Sequence, residues 1–468
     1  MYPPIIRATI RGAHAPGRSI PSRHSRRRQR GQALVFGMFM LVVVALLAFF
    51  LFSAGQSTAA RMRLVNATDA AAYSAGLWRA RAMNYYAYAN RAIVANEVAI
   101  AQATTLVSFA RFLQLSVERA SRLTGLLAPV GRVLGSIDLA SQWGLRLTRY
   151  AAAVDVAARS GYNHALAGSQ EVIHLMTNAF TLSSIAQEVM GEADGRFHGF
   201  VVPPSFMGEA EITRRHEGEA RHRLRQVVME SRDGYTKDRG ARLEWGCLPR
   251  LVRQGQTELV LDHDSSLDRW QAYDTMSVHL PRRLNCRRFR ERVPIGWAGA
   301  EVASNPTGTL DALNGTAQNP SGQKVDNSRA YRRAARDREF WSNGLYFGLP
   351  SVRGLDFDSA ALKQNSRFPT MKVAVVGRIR HAGAIATAEN RQLGAGRVQP
   401  KDNFAGQRTL MMALSMAEIY FRRPPAGDNR VEYASLYSPY WQVRLAPVPL
   451  AWREALTGSY LLADRPTR

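Results

Sequence analysis

Few residues in this 468-residue chain combine the type and spacing that chemistry needs. The sharpest group is Glu258-Leu259-Val260-Leu261-Asp262-His263-Asp264-Ser265-Ser266, an apolar run that ends in two carboxylates. Asp262 and Asp264, one residue apart at a strand end, could hold Ca²⁺ or Mg²⁺, which take oxygen ligands. They could also form the acidic pair of a hydrolase, and an ordinary acidic turn explains the same residues. His216-Glu217-Gly218-Glu219-Ala220-Arg221-His222 has the texture of a zinc-protease helix, but that site needs histidines at i and i+4 on one face. Here they stand at i and i+6, so the reading is rejected. His164 and His174 are ten residues apart with Glu171 between them, nearly three helical turns, and cannot share one ion on a helix face. Two cysteines remain, Cys247 and Cys286. A bond between them would close a loop of about 40 residues and stabilise by roughly 3–4 kcal/mol, provided the compartment is oxidising. Two isolated thiols make a poor zinc site, which wants four ligands. No phosphate-binding Gly-x-x-x-x-Gly-Lys-Ser/Thr loop, Gly-x-Ser-x-Gly elbow, HExxH or dinucleotide loop occurs. The residues therefore argue for no catalytic group, no cofactor, no metal and no small-molecule substrate.

The elements that would position such residues are clearer. Residues 33–52, from Ala33-Leu34-Val35-Phe36 to Phe52, carry no charge. At 1.5 Å per residue they make about 30 Å of helix, the thickness of a bilayer's hydrocarbon core. The first 30 residues hold eight arginines and no acid, clustered at Arg23 to Arg30. Basic residues keep their end of a span in the cytoplasm. A single-pass membrane protein is expected, with its N-terminus in the cytoplasm and the bulk of the chain outside; the resemblance described below makes these the bacterial inner membrane and the periplasm. A cleaved secretory signal has an apolar core of only about 7–15 residues. Ser53-Ala54-Gly55 would still offer a cleavage site, and Ser25-Arg26-Arg27 hints at a twin-arginine signal without its following apolar residues. The formal charge of +25 reads either as an Arg-rich solvated surface or as contact with an anionic partner.

Four regions follow: a basic tail at 1–31, the span at 32–54, a helical region at 55–191 and a mixed α+β domain at 192–468. Alanine dominates the helical region, which meets no proline between Gln32 and Leu127. Small residues from Ala70 to Gly76 would let another helix approach, either within the same domain or from a neighbouring copy. After breaks at Gly125, Pro129, Gly131 and Gly135, a second helical stretch near 137–191 folds back as a hairpin. Residues 192–245 are polar and mixed. From Arg242 onward short strand-like runs appear, among them 256–264, 269–280, 371–379, 413–423 and 440–447. Residues 303–330 read as an exposed polar loop. Tyr437, Tyr440, Trp441 and Arg444 form either a docking surface, since Tyr, Trp and Arg are common interface anchors, or the edge of an aromatic core.

Gly31-Gln32-Ala33-Leu34-Val35, the apolar run, and then Arg61-Met62-Arg63-Leu64-Val65-Asn66-Ala67-Thr68-Asp69-Ala70-Ala71-Ala72 resemble the N-terminal segment of TadE/TadG-like proteins of the tight-adherence (Flp) pilus machinery. The likeness covers roughly residues 26–76. Its specific part is the exit motif, carried by Leu64, Asn66, Ala67, Asp69, Ala70 and Ala71. Val65 stands where the family prefers Gln, and Thr68 where it prefers Ala. Phe36 occupies the position where prepilin processing after Gly31 would want Glu, which favours the longer, anchored TadG-like type. Some of those proteins carry a von Willebrand A-type metal loop, Asp-x-Ser-x-Ser; Asp264 replaces its first serine here. The resemblance implies a non-enzymatic assembly component that touches the inner membrane and other pilus proteins or copies of itself, with no nucleic acid. A membrane-tethered hydrolase and a polyanion-binding surface protein are the alternatives. Asp69 is expected to pair with Arg61, Arg63 or Arg79, or to face water.

Overall fold

The computed structural model describes residues 32–124, 128–203, 211–261, 268–282, 285–304, 325–340, 345–358, 362–363, 368–379, 411–424, 432–450 and 452–454. It is α+β and divides into two compact units, residues 1–60 and 61–468. Helix α1 runs Gln32–Thr124 and contributes to both. Within the first unit, Leu34, Phe36, Phe50 and Leu51 expose most of their surface. This is the one described helix long and apolar enough to cross a membrane.

The second unit takes the rest of α1 as its spine. Helices α2 (Ala128–Leu175) and α3 (Ala179–Ala193) follow. The single helical stretch expected at 137–191 is thus two, split where Asn178 caps α3 by accepting from the Thr181 amide. Strand β1 (Phe197–Val202) comes next, inside a region read as merely mixed, then β2 (Thr213–His216), a 3₁₀ turn (Gly218–Arg221), α4 (His222–Ser231), α5 (Gly234–Lys237) and β3 (Ala241–Leu243). β4 (Arg250–Val260), β5 (Arg269–Arg282), β6 (Asn285–Ala303), α6 (Ser328–Arg336), β7 (Glu339–Phe340), β8 (Val352–Leu355), β9 (Thr370–Ile379), β10 (Met411–Phe421) and β11 (Trp441–Ala446) complete the order. The expected loop at 303–330 falls largely outside the described residues, and α6 begins at its end.

Three sheets result. One has the order β1-β9-β10-β11, antiparallel throughout, so a strand from position 197 pairs with one from position 370 onward. A second pairs β2 with β8. The third runs β3-β4-β5-β6-β7, parallel only at its last pair. The expected boundary at 191/192 falls in the last turn of α3, which packs with β1: Leu182, Ala186 and Met190 share one core with Phe197 and Val201.

Why α1 is rich in alanine follows from what it touches. Leu64, Ala67, Ala71, Ala72 and Ala75 lie against β9 and β10 in that core. A Cβ on Gly76 would stand 2.8 Å from Val443 Cγ2 and 2.9 Å from Ala417 Cβ, so only glycine lets the helix this close to β10 and β11. Gly377 makes the reciprocal concession: a side chain there would overlap Thr68 Oγ1 and the end of Met190. Farther along, Ile93, Ile100 and Val107 of α1 meet Val156 of α2 and Leu259, Trp270 and Val302 of the five-stranded sheet. Of the small residues of α1, Ala71, Ala72, Ala75 and Gly76 are therefore covered by their own domain, whereas Ala70 is exposed.

Gly76→Leu should cost about 2–3 kcal/mol by overpacking. Gly191→Ala in α3, whose added methyl meets nothing within 4 Å, should instead gain about 1 kcal/mol of helix propensity. Thermal melts of the full chain in nanodiscs test the contrast.

Candidate functional site

The candidate site is α1 itself and what the domain hangs on it. Its apolar face is interrupted by polar residues, and each binds a different element. Asn84 donates to the Trp441 carbonyl and accepts from the Trp441 amide, both at 3.0 Å, fixing the start of β11. Asn90 is fully buried. It donates to the carbonyls of Arg353 and Leu436 and accepts from Gln170 of α2. Thr105 shares a hydrogen bond with Thr257 on β4, and Ser108 donates to Asp274 on β5. Asp274 in turn accepts from Arg239 at 2.8 Å within a fully buried ion pair. Burial raises its carboxyl even so.

Glu97 is the deepest of these groups. It is wholly buried and accepts from Trp270 Nε1 at 2.9 Å, Tyr346 hydroxyl at 3.1 Å and Asn163 Nδ2 at 2.9 Å. Those donors satisfy its oxygens without supplying a positive charge, so desolvation dominates and pushes the carboxyl up to about 7. Sequence reasoning missed it. The signal was present: Glu97 is the sole charged residue between Arg91 and Arg111, and a buried charge in an apolar helix always needs an explanation.

The family-motif residues divide by face. Leu64, Ala67 and Ala71 are buried, Asn66 and Ala70 are exposed, and Asp69 is half-buried. Arg79, one partner expected for Asp69, instead pairs with Glu211 and donates to the Thr177 carbonyl. Burial lowers its guanidinium to about 10. Beside it lies a cavity of about 250 Å³, lined by Arg79, His174, Leu182, Val201, Glu211 and Met371 among others. Burial first, then the positive charges of Arg353 and Arg79, depress His174 to about 4, so it is neutral there. His164 contacts the Gly348 carbonyl and Glu171 pairs with Arg353; these residues bind the fold. His216 is buried against the Leu355 carbonyl and does not meet His222 in a metal site; no cluster of metal-binding side chains occurs among the described residues.

The four aromatic and basic residues read as a docking group part company. Trp441 is 2 % exposed, packs edge-on to Phe421 with ring centroids 5.4 Å apart and donates to the Ser435 carbonyl. It is a core residue, unavailable to a partner. Tyr440 also sits edge-on to Phe421, and burial raises the hydroxyl of Tyr437. Arg444 is exposed, bonded to Glu418 and placed over the Tyr420 ring. Cys247 is disulfide-bonded. Asp262, His263, Asp264, Ser265, Ser266 and Gly31 lie outside the described residues, as do the side chains of Gln32 and Cys286.

Residues 31–83 match the family model Tad, described as "Putative Flp pilus-assembly TadE/G-like". The N-terminal segment is TadE/G-like. Neither the curated proteins nor the solved structures hold a match to the chain. The TadE/G-like segment thus takes in the apolar stretch and the α1 turns that carry Leu64 to Met83, where the first domain core begins. The half-buried rib at Asn84 and the buried ones at Asn90 and Glu97 stand just beyond it.

A carboxyl raised by folding stabilises fully below its ordinary value near 4.5 and loses that contribution as pH rises through about 7. Glu97→Gln should therefore gain stability on the wild type by on the order of 3 kcal/mol between pH 5 and pH 8. Equal pH slopes in denaturant melts of the two proteins would exclude this role.

Proposed function

We propose that this chain is a non-enzymatic, single-pass assembly component of a Tad/Flp-type pilus in the bacterial inner membrane. Its N-terminus is cytoplasmic, residues 33–52 cross the bilayer and the domain beyond lies in the periplasm. The observation that carries the reading is the family match over residues 31–83, which joins the charge-free span to a motif helix built into a folded domain. The basic residues before the span favour the orientation. A periplasmic location also suits a disulfide at Cys247, whose mate is Cys286 in this proposal. The role is mechanical: α1 anchors, and the domain built on it docks other pilus proteins. Tyr437, Tyr440 and Arg444 remain its offered contact group, without Trp441.

Three measurements test this. In isolated membranes, the mature protein should retain peptides upstream of Gly31. A chain beginning at Gln32 would mean pilin-like processing, and a soluble chain beginning near Gln56 would end the anchor reading. Unreduced protein should resist thiol alkylation, and reduction should free both cysteines; ready alkylation in the native protein would place the domain in a reducing compartment. Deleting residues 242–468 should abolish piliation while leaving no hydrolytic activity to lose.

A further inference from the structure

Helix α2 buries one side and bares the other. Leu145, Ala152, Val156, Asn163 and Gln170 face the domain. On the opposite side Leu139, Trp143, Leu147, Tyr150 and Val154 stand 59–76 % exposed. At 100° per residue these five, with Val172, fall within an arc of about 80°. Together they expose roughly 700 Å², more than the largest apolar patch of many monomers and close to the 800 Å² that each partner gives to a standard interface.

The stripe is asymmetric along its length. Its first half is bulky. Its middle, before bulk returns at Val172 and Leu175, is small: Gly161, Ala165 and Gly168 lie in the same arc, with Ala158 about 20° outside it and Phe347 of the same chain 3.8 Å from where a Gly161 Cβ would stand. Gly168 has nothing within 4 Å of the Cβ it lacks, so its own fold does not require glycine there, at a cost of about 1 kcal/mol in helix propensity. An antiparallel twofold axis through Val154 maps position 150 onto 158, 147 onto 161, 143 onto 165 and 140 onto 168. The four bulky residues before Val154 then meet small ones: Tyr150 over Ala158, Leu147 over Gly161, Trp143 over Ala165 and Leu139 beside Gly168, while Val154 meets its own copy on the axis. Self-complementarity of this kind is what an isologous interface demands. We infer that α2 is the contact between two copies of this chain, packed antiparallel about Val154. This surface lies outside the TadE/G-like segment, and the inference does not depend on the pilus assignment.

Cross-linking of the full chain in native membranes tests it, read on non-reducing gels against the wild type with its own disulfide. Val154→Cys should give a band of doubled mass, because the two Cα atoms meet near the axis. Trp143→Cys alone should give none, since its two copies stand about 33 Å apart by helical rise, far beyond the 7 Å a disulfide spans. Trp143→Cys combined with Ala165→Cys should restore the band. The side chain of Leu147 is 73 % exposed, so Leu147→Glu should leave the domain folded and yet remove the Val154→Cys band. Absence of a Val154→Cys dimer, or equal cross-linking by Trp143→Cys alone, overturns the inference and leaves the stripe to a bilayer surface or another protein.

Discussion

The domain depends on one close approach. At Gly76 helix α1 comes so near β10 and β11 that a single methyl group would strike Ala417 and Val443. That distance dictates the alanines at 67, 71, 72 and 75, the glycine at 377 and the fit of Met190 from α3 over β1. A helix with larger side chains would lift off the sheet and open voids that close-packed interiors do not tolerate. The alanine-rich composition is thus a packing specification, beyond a preference for helix.

So deep a helix cannot be apolar throughout without losing its register, since alanine faces slide. The polar ribs supply the register. Asn84 fixes the backbone of Trp441, Asn90 that of Arg353 and Leu436, and Glu97 gathers Trp270, Tyr346 and Asn163. Each bond joins residues far apart in sequence, and each would leave buried polar atoms unpaired if α1 shifted by a turn. Neutral donors around Glu97 make this ordering sensitive to pH, whereas the Asp274–Arg239 pair carries its own countercharge.

Much of the architecture was legible in the sequence, and particular residues explain why. The span announces itself through length and lack of charge. The helix beyond it follows from alanine and the absence of proline. Strands β9 and β10 each carry an apolar run, Val373 to Val376 and Met411 to Leu414, as buried strands do. Strand β1 was not visible, because His198-Gly199-Phe200 gives little pattern and its partner lies some 170 residues downstream. Trp441 was read two ways for the same reason: residue type alone does not separate a core aromatic from an interface anchor. The stripe on α2 shows the converse. Leu139, Trp143, Leu147 and Val154 recur at helical spacing, which marks an apolar face, and only the fold reveals that the domain sits on the other side.

The pairing of α1 with β10 and β11 also sets a clock on biogenesis. Residues near 76 reach their packing partners only when residues near 443 have been made. At about 5–20 residues per second, synthesis of the intervening chain takes on the order of 20–70 s. Throughout that interval the alanine face and the buried ribs of α1 stand bare beside the ribosome-bound chain. Non-local topology of this kind folds slowly and exposes sticky surface meanwhile. A chain tethered by its first helix thus has a long unfinished stage in which a chaperone, or a ready-made partner, can reach surfaces that the finished domain hides.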